Sequence, residues 1–263
     1  MTDHFVTNFQ IYLLVLFRIV ALTQVAPLLS SGAIPQLAKI GFALFVAALV
    51  FPSVLEGGYV VPQQALNYFL LLLGEVLIGI IIGFFLLLIF AAFQLSGQLF
   101  SLQMGFGASQ VFDPLAQVEI PLMGQFLNII AMFVFLTTRG FYKFVYVGVY
   151  RSFGALKAID LVSGRSLLLK TFMGSLGQLF EIALTISFPI LGVLLLISIS
   201  MGLLAKAAPQ MNLLMMGFPM AIGVAFIILL LITPLLMNAF SRIIDAGFDK
   251  LGGLITDLRG LRP

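Results

Sequence analysis

Residues 66–95 read LNYFLLLLGEVLIGIIIGFFLLLIFAAFQL, and Glu75 carries the only charge in this run. As one helix the run would reach about 45 Å at ~1.5 Å per residue, which exceeds the ~30 Å hydrocarbon core of a bilayer. Such a helix must tilt, bend or extend beyond the membrane. Gly74, Gly79 and Gly83 provide either bending points or close contacts between helices, and we favour close contacts.

Five further apolar runs follow the same pattern, at residues 9–29, 37–55, 122–136, 172–204 and 213–240. Hydrophobic residues make up 62% of the 263 residues and charged residues only 9%, and the mean hydropathy is +1.20. Soluble domains are about 45–50% apolar and about 25% charged. The composition therefore predicts an all-α, multi-helix integral membrane protein with about six long hydrophobic segments.

Several kinds of chemistry are disfavoured by the composition. The net charge of +3 is dispersed, and no Lys/Arg run typical of nucleic-acid binding occurs. The chain has no cysteine, and its single histidine, His4, lies in the polar N-terminus. Without the usual general base or metal ligands, and without a G-x-S-x-G, H-E-x-x-H or Walker A motif, we expect no enzyme, no metal and no cofactor.

The distribution of basic residues gives conflicting information on orientation. The segment 139–170 contains one acidic residue, Asp160, and is predicted to be cytoplasmic by the positive-inside rule. Its basic residues are Arg139, Lys143, Arg151, Lys157, Arg165 and Lys170. Lys206 lies in the next loop, which a single span would place on the opposite side. Either the fifth run is a re-entrant pair broken near Pro189, or the protein does not lie flat in a membrane.

Three ionisable residues, Arg18, Glu75 and Glu181, fall inside apolar runs. Each is expected to face protein or water and to have a partner, because a charge in lipid is unfavourable. They could form an ion pathway or structural pairs within a helical assembly. We favour structural pairs, since the three residues do not cluster in the sequence.

The tail from residue 242 to 263 alternates between apolar and charged side chains at helical spacing, which predicts a short amphipathic helix. Such a helix could lie on lipid or bind a partner. Lipid is the slightly favoured interpretation.

The break at residues 103–114 is rich in glycine yet apolar, and Asp113 is its only charge. A water-exposed loop would be more polar, whereas irregular backbone at membrane depth survives inside protein or along a cavity. The loop therefore points inward, where it either closes a pore or packs without a gating role. The residues of interest are Met104, Gly105, Phe106, Gly107, Val111, Phe112, Asp113 and Pro114.

Three ordered stretches together resemble the FliR family of the flagellar type III export gate. The first contains Arg18, Ala26-Pro27, Ile34-Pro35 and Lys39; the second is the loop ending in Phe112-Asp113-Pro114; the third is GLLAKAAPQMN at 202–212, followed by Gly217-Phe218-Pro219. The family often places a lysine after the last motif, whereas this chain has Met220-Ala221. Any role of that lysine does not carry over.

The resemblance implies an all-helical subunit that assembles with FliP and FliQ, near FlhB and FlhA, in the inner membrane at the flagellar basal body. It implies a FliP-like part at 1–170 with a gating loop at 103–122, a FliQ-like hairpin at 171–240 and an amphipathic tail at 241–263. Unfolded flagellar proteins would pass through the channel, and the central loop would plug it. Because such an assembly is raised out of the membrane plane, the conflict in orientation is accounted for.

Assembly or hairpin-tip roles are predicted for a dispersed set of residues, Glu75 and Glu181 because they are charges inside apolar runs and the others because they belong to the motifs of the resemblance. They are Arg18, Pro35, Lys39, Glu75, Glu181, Lys206, Pro209, Gln210, Asn212, Gly217 and Pro219. The alternative is a small multi-pass transporter, which should show internal repeats and clustered polar groups near the middle of the membrane. Neither is found in the sequence.

Overall fold

The structure is a computed structural model that describes residues 2–32, 34–105, 122–158, 161, 164–208, 210 and 213–260. These residues form helices and no strand. The helices are α1 (Thr2–Val25), α2 (Gln36–Glu56), α3 (Ala65–Gln103), α4 (Leu122–Thr137), α5 (Gly140–Ala155), α6 (Arg165–Ala207) and α7 (Leu213–Gly260). The prediction of an all-α membrane protein is confirmed.

Five of the described helices, α1, α2, α3, α6 and α7, are long and apolar enough to cross a membrane. The chain bends by 76° at the break between α4 and α5, and the number of spans rises to six if this bent pair forms one. Within α5, residues Phe144–Arg151 are wound as a π-helix, and the helix follows Arg139 in a left-handed conformation with φ 58°.

The chain divides into two compact units. Unit 1 comprises the described residues of Met1–Ile89, Phe135–Leu176 and Ile243–Pro263, and unit 2 those of Phe90–Val134 and Gly177–Arg242.

In unit 1, glycines bring α3 against α1. A Cβ at Gly79 would overlap the carbonyl oxygen of Arg18, and a Cβ at Gly83 would lie 2.8 Å from the Cβ of Val25. A Cβ at Gly74 would overlap the side chain of Ala158. The three glycines therefore serve close packing, as favoured from the sequence.

In unit 2, a second glycine pair brings α3 against α4. A Cβ at Gly97 would overlap the carbonyl oxygen of Met123, and a Cβ at Gly124 would lie 2.6 Å from the carbonyl oxygen of Gln94. The ring of Phe93 in α3 packs on Phe240 in α7, with 4.2 Å between centroids.

The later helices exclude one of the two alternatives for the fifth run and correct the expectation for the tail. Helix α6 continues without a break through Pro189, so the fifth run is not a re-entrant pair. Helix α7 continues through Pro219 and Pro234 as far as Gly260, so the tail is the end of a long helix and not a separate short one. Proline is tolerated in membrane helices where the surroundings satisfy the freed backbone groups.

The apolar face of the tail also has a different environment from the one expected. Ile244, Phe248, Leu251 and Leu258 are buried in the chain itself. The Phe248 ring lies 6.2 Å from that of Phe135, between centroids, within unit 1. This face therefore packs on neither lipid nor a partner.

The basic segment 139–170 is largely helical. It contains all of α5 and the start of α6. A rule that counts charges in short loops is therefore a weak guide to the orientation of this chain.

Candidate functional site

A buried ion pair lies between α1 and α3 in unit 1. The Nε of Arg18 donates to Oε2 of Glu75 at 2.5 Å, and the two side chains are 1% and 0% exposed. Burying two charges is unfavourable unless their remaining hydrogen-bonding groups are also satisfied. The surroundings of both residues meet this condition.

Three residues at the end of α5 complete the environment of Arg18. Its Nη1 donates to Ser152 Oγ at 3.1 Å and its Nη2 to the carbonyl oxygen of Leu156 at 2.9 Å. The guanidinium carbon lies 3.8 Å from the centre of the Phe153 ring, a cation–π contact. Ser152 directly follows the π-helical residues Phe144–Arg151.

Glu75 is satisfied through both carboxylate oxygens, because the hydroxyl of Tyr59 donates to Oε1. Tyr59 lies between α2 and α3, and the ring also faces Lys157 Nζ at 5.7 Å. The network thus links α1, α3, the end of α5 and the α2–α3 connection. Neither Tyr59 nor Ser152 was recognised in the sequence, although two opposite charges in two apolar helices are a signal for a buried pair.

The start of the glycine-rich loop lies in unit 2. Met104 is fully buried, and Gly105 has φ +88°, a conformation that favours glycine. A Cβ at Gly105 would overlap the Phe218 ring near the start of α7. The Nε2 of Gln103 donates to Ser198 Oγ of α6 at 3.4 Å.

Two motifs that are more than a hundred residues apart in the sequence therefore meet. Gly105 belongs to the loop motif, and Phe218 is the central residue of Gly217-Phe218-Pro219. The remaining predicted plug residues lie outside the described residues. They are Phe106, Gly107, Val111, Phe112, Asp113 and Pro114.

The connection between α6 and α7 contains the predicted hairpin tip. Lys206, in the last turn of α6, and Gln210 are exposed, whereas Pro209 and Asn212 lie outside the described residues. A Cβ at Gly217 would lie 3.8 Å from Cε of Met201, so α6 and α7 run close together beside this connection. A cation in the last helical turn is favoured by the helix dipole.

The other predicted assembly residues are dispersed. Pro35 precedes the first turn of α2, and Lys39 is buried in that helix. Glu181 is exposed on α6, and Pro219 is exposed in α7. The structure thus brings Arg18 and Glu75 together, and Gly105 and Phe218 together, but does not gather the whole set into one site.

The chain matches known export proteins along most of its length. Bacterial export proteins, family 1, match residues 9–247. The flagellar biosynthetic protein FliR of Borreliella burgdorferi is 32% identical over 92% of this chain and 89% of its own length. The proteins of the same name from Bacillus subtilis and Escherichia coli are 30% and 26% identical, over 90% and 98% of this chain and 93% and 97% of their own lengths.

The helices and these matches define an all-α, multi-pass membrane component of bacterial protein export, not an enzyme. Within that class, the chain belongs to the FliR family of flagellar biosynthetic proteins.

Proposed function

We propose that this chain forms, with FliP and FliQ, the inner-membrane channel of the flagellar export gate, and that the loop at 103–114 closes the channel at rest. Residues 1–170 would occupy a FliP-like position, 171–240 would form a FliQ-like hairpin, and FlhB and FlhA would bind nearby at the basal body. Unfolded flagellar proteins would be the cargo. The FliR family match supports this proposal over that of a small transporter.

The contact between Gly105 and Phe218 is the observation that carries the plug proposal. It holds the start of the loop against α7, while Met104 is buried beside it. The first residues of the loop, Met104 and Gly105, are therefore packed against helices of unit 2.

An apolar seal suits the chemistry of such a channel. A conduit wide enough for an unfolded chain would leak ions unless it were closed, and an apolar constriction closes a pore by excluding water. Met104, Phe106, Val111 and Phe112 supply apolar side chains. Gly105 and Gly107 permit backbone conformations that other residues avoid, so the loop could move aside for cargo.

Deletion of residues 105–112 tests the plug. We expect the variant to assemble with co-expressed FliP and FliQ but to raise leakage of potassium or small solutes through the inner membrane. V111S should raise leakage less than the deletion, because it leaves the other apolar side chains of the loop in place. V60S is its matched control, since Val60 is 79% exposed between α2 and α3 and is not part of the segment 103–114.

If the deletion variant assembles normally and leaks no more than the parent, the loop is structural only. If V60S leaks as much as V111S, the leakage does not report on the loop.

A further inference from the structure

Glu181 places a carboxylate on an exposed face of α6 in unit 2, on which the polar residues Gln178 and Thr185 are also exposed. Its neighbours Phe180, Leu184 and Phe188 are 57%, 54% and 73% exposed. Among the described residues, no cation or hydrogen-bond donor pairs with this carboxylate.

The other charges of α6 are too far along the helix to compensate for Glu181. Lys170 and Lys206 are the next charges in each direction, at about 17 Å and about 38 Å along the axis for ~1.5 Å per residue. Both distances exceed the reach of the Glu181 side chain, so neither lysine pairs with it. A carboxylate at this position therefore has to be neutralised, hydrated or paired locally.

The chain itself shows how a glutamate in an apolar helix is satisfied. Glu75 is paired with Arg18 and also accepts from Tyr59. Glu181 has no equivalent in the described part of its own chain, yet the apolar residues around it would suit a helix packed on this face.

We propose that the Glu181 face of α6 is a docking surface for an apolar helix of another gate subunit that presents a lysine or arginine to the carboxylate. This docking surface depends on the proposed function in one respect, which is that the partner is a subunit of the export gate. Charge complementarity favours a basic helix over plain lipid, because a lysine or arginine pairs with the carboxylate of Glu181 and lipid tails do not. Gly177 lies one turn earlier, and a Cβ there would meet nothing within 4 Å, so the partner helix has room to approach.

The test uses E181Q, E181K and E181L, each co-expressed with FliP and FliQ, and measures how much complex is recovered in detergent. We expect E181K to lower recovery at least tenfold, because it sets two cations against each other, and E181Q and E181L to lower it less. Glu56, exposed at the end of α2, provides the control. E56K makes the same change in charge and should leave recovery unchanged.

A charge swap separates a lost contact from a misfolded chain. In the E181K background, each lysine or arginine inside an apolar helix of the co-expressed subunits is changed to glutamate in turn. One such change should restore the complex, which also shows that the E181K chain folds.

Two results would overturn the docking surface. If all three Glu181 variants assemble like the parent, the face meets lipid. If E181K assembles normally but changes ion leakage or export, the carboxylate lines a water-filled path. Failure of the unsubstituted chain to co-purify with FliP and FliQ would instead contradict the proposed function, and so is distinguishable from both results.

Discussion

Arg18 and Glu75 illustrate how this chain carries charge inside an apolar bundle. Each charge is surrounded by partners of the same chain, and the guanidinium also lies on an aromatic ring. The pair holds together segments that are distant in the sequence. An assembly role for these two residues stays a prediction, whereas their contacts inside unit 1 are defined by the structure.

Removing one member of this pair should destabilise the protein strongly. We expect R18A to lower the free energy of unfolding in detergent by about 3–5 kcal/mol, because Glu75 is left as an uncompensated buried charge. The double variant R18L/E75L should be more stable than R18A, since it buries no charge. The measurement is denaturant or thermal unfolding of the purified protein, alone or with its co-expressed subunits.

The ion pair between Lys143 and Asp245 provides the matched control. The two side chains are 30% and 45% exposed, and K143A should therefore lower the free energy of unfolding by only ~0–1 kcal/mol. If R18A and K143A lowered the free energy of unfolding equally, burial would not explain the contribution of the Arg18 pair to stability.

Glycine acts differently in α3 and α6. Gly79 allows α3 to approach the backbone of α1, whereas a Cβ at Gly192 in α6 would meet nothing within 4 Å. The same residue type is therefore a packing requirement in one helix and a replaceable position in the other.

G79A should destabilise unit 1. The added methyl group would overlap a backbone carbonyl oxygen, which cannot move aside as a side chain can, and overpacking of this kind typically costs about 1–3 kcal/mol. G192A should be neutral or stabilising by up to ~1 kcal/mol, because alanine favours a helix over glycine. Unfolding midpoints of the two variants test the difference, and a G79A midpoint at or above that of G192A would contradict the assigned helix contact.

The end of α6 offers a test of orientation. Lys206 is exposed in its last turn, and the chain contains no cysteine, so K206C provides a single labelling site. If α6 and α7 form the tip at the cytoplasmic mouth, a membrane-impermeant thiol reagent should label K206C from the cytoplasmic side. L194C, at a buried position of the same helix, should remain unlabelled. Labelling of K206C only from the periplasm would reverse the placement.

The described residues leave more apolar surface exposed than contacts within the chain cover. Large exposed hydrophobic side chains occur along α6 and α7, among them Phe188, Leu196, Leu230 and Leu231. Lipid can cover such residues, but it does not satisfy Glu181 on the same surface of α6. The chain is therefore expected to be stable as part of a hetero-oligomer.

Expression with and without FliP and FliQ tests this expectation. Without them, the chain should be recovered in low yield or aggregated, and with them as a defined complex. Size-exclusion chromatography in detergent distinguishes the two states. A monodisperse, detergent-stable monomer from cells that lack the partner subunits would count against an obligate assembly.

Local composition was sufficient to predict an all-α membrane protein with several long apolar helices. Long apolar runs with few charges can only satisfy their backbone in lipid by forming helices, and the breaks at Pro35 and at Gly57-Gly58 mark helix ends that the structure shares. The residues that carry the FliR resemblance could also be identified from the sequence, because they form short motifs in a fixed order. These features depend on neighbours in the sequence.

Only the tertiary structure decided which residues meet. The partnership of Arg18 with Glu75, the contact of Gly105 with Phe218 and the burial of the α7 tail join positions far apart in the chain. Likewise, α6 continues through Pro189, whereas the sequence alone allowed a break in the helix there. The physical reason is that the hydrogen bonds of a helix join residues close together in the sequence. Charge pairing and glycine-mediated packing depend instead on residues that are near in three dimensions, and so does the choice between lipid and protein on an apolar face.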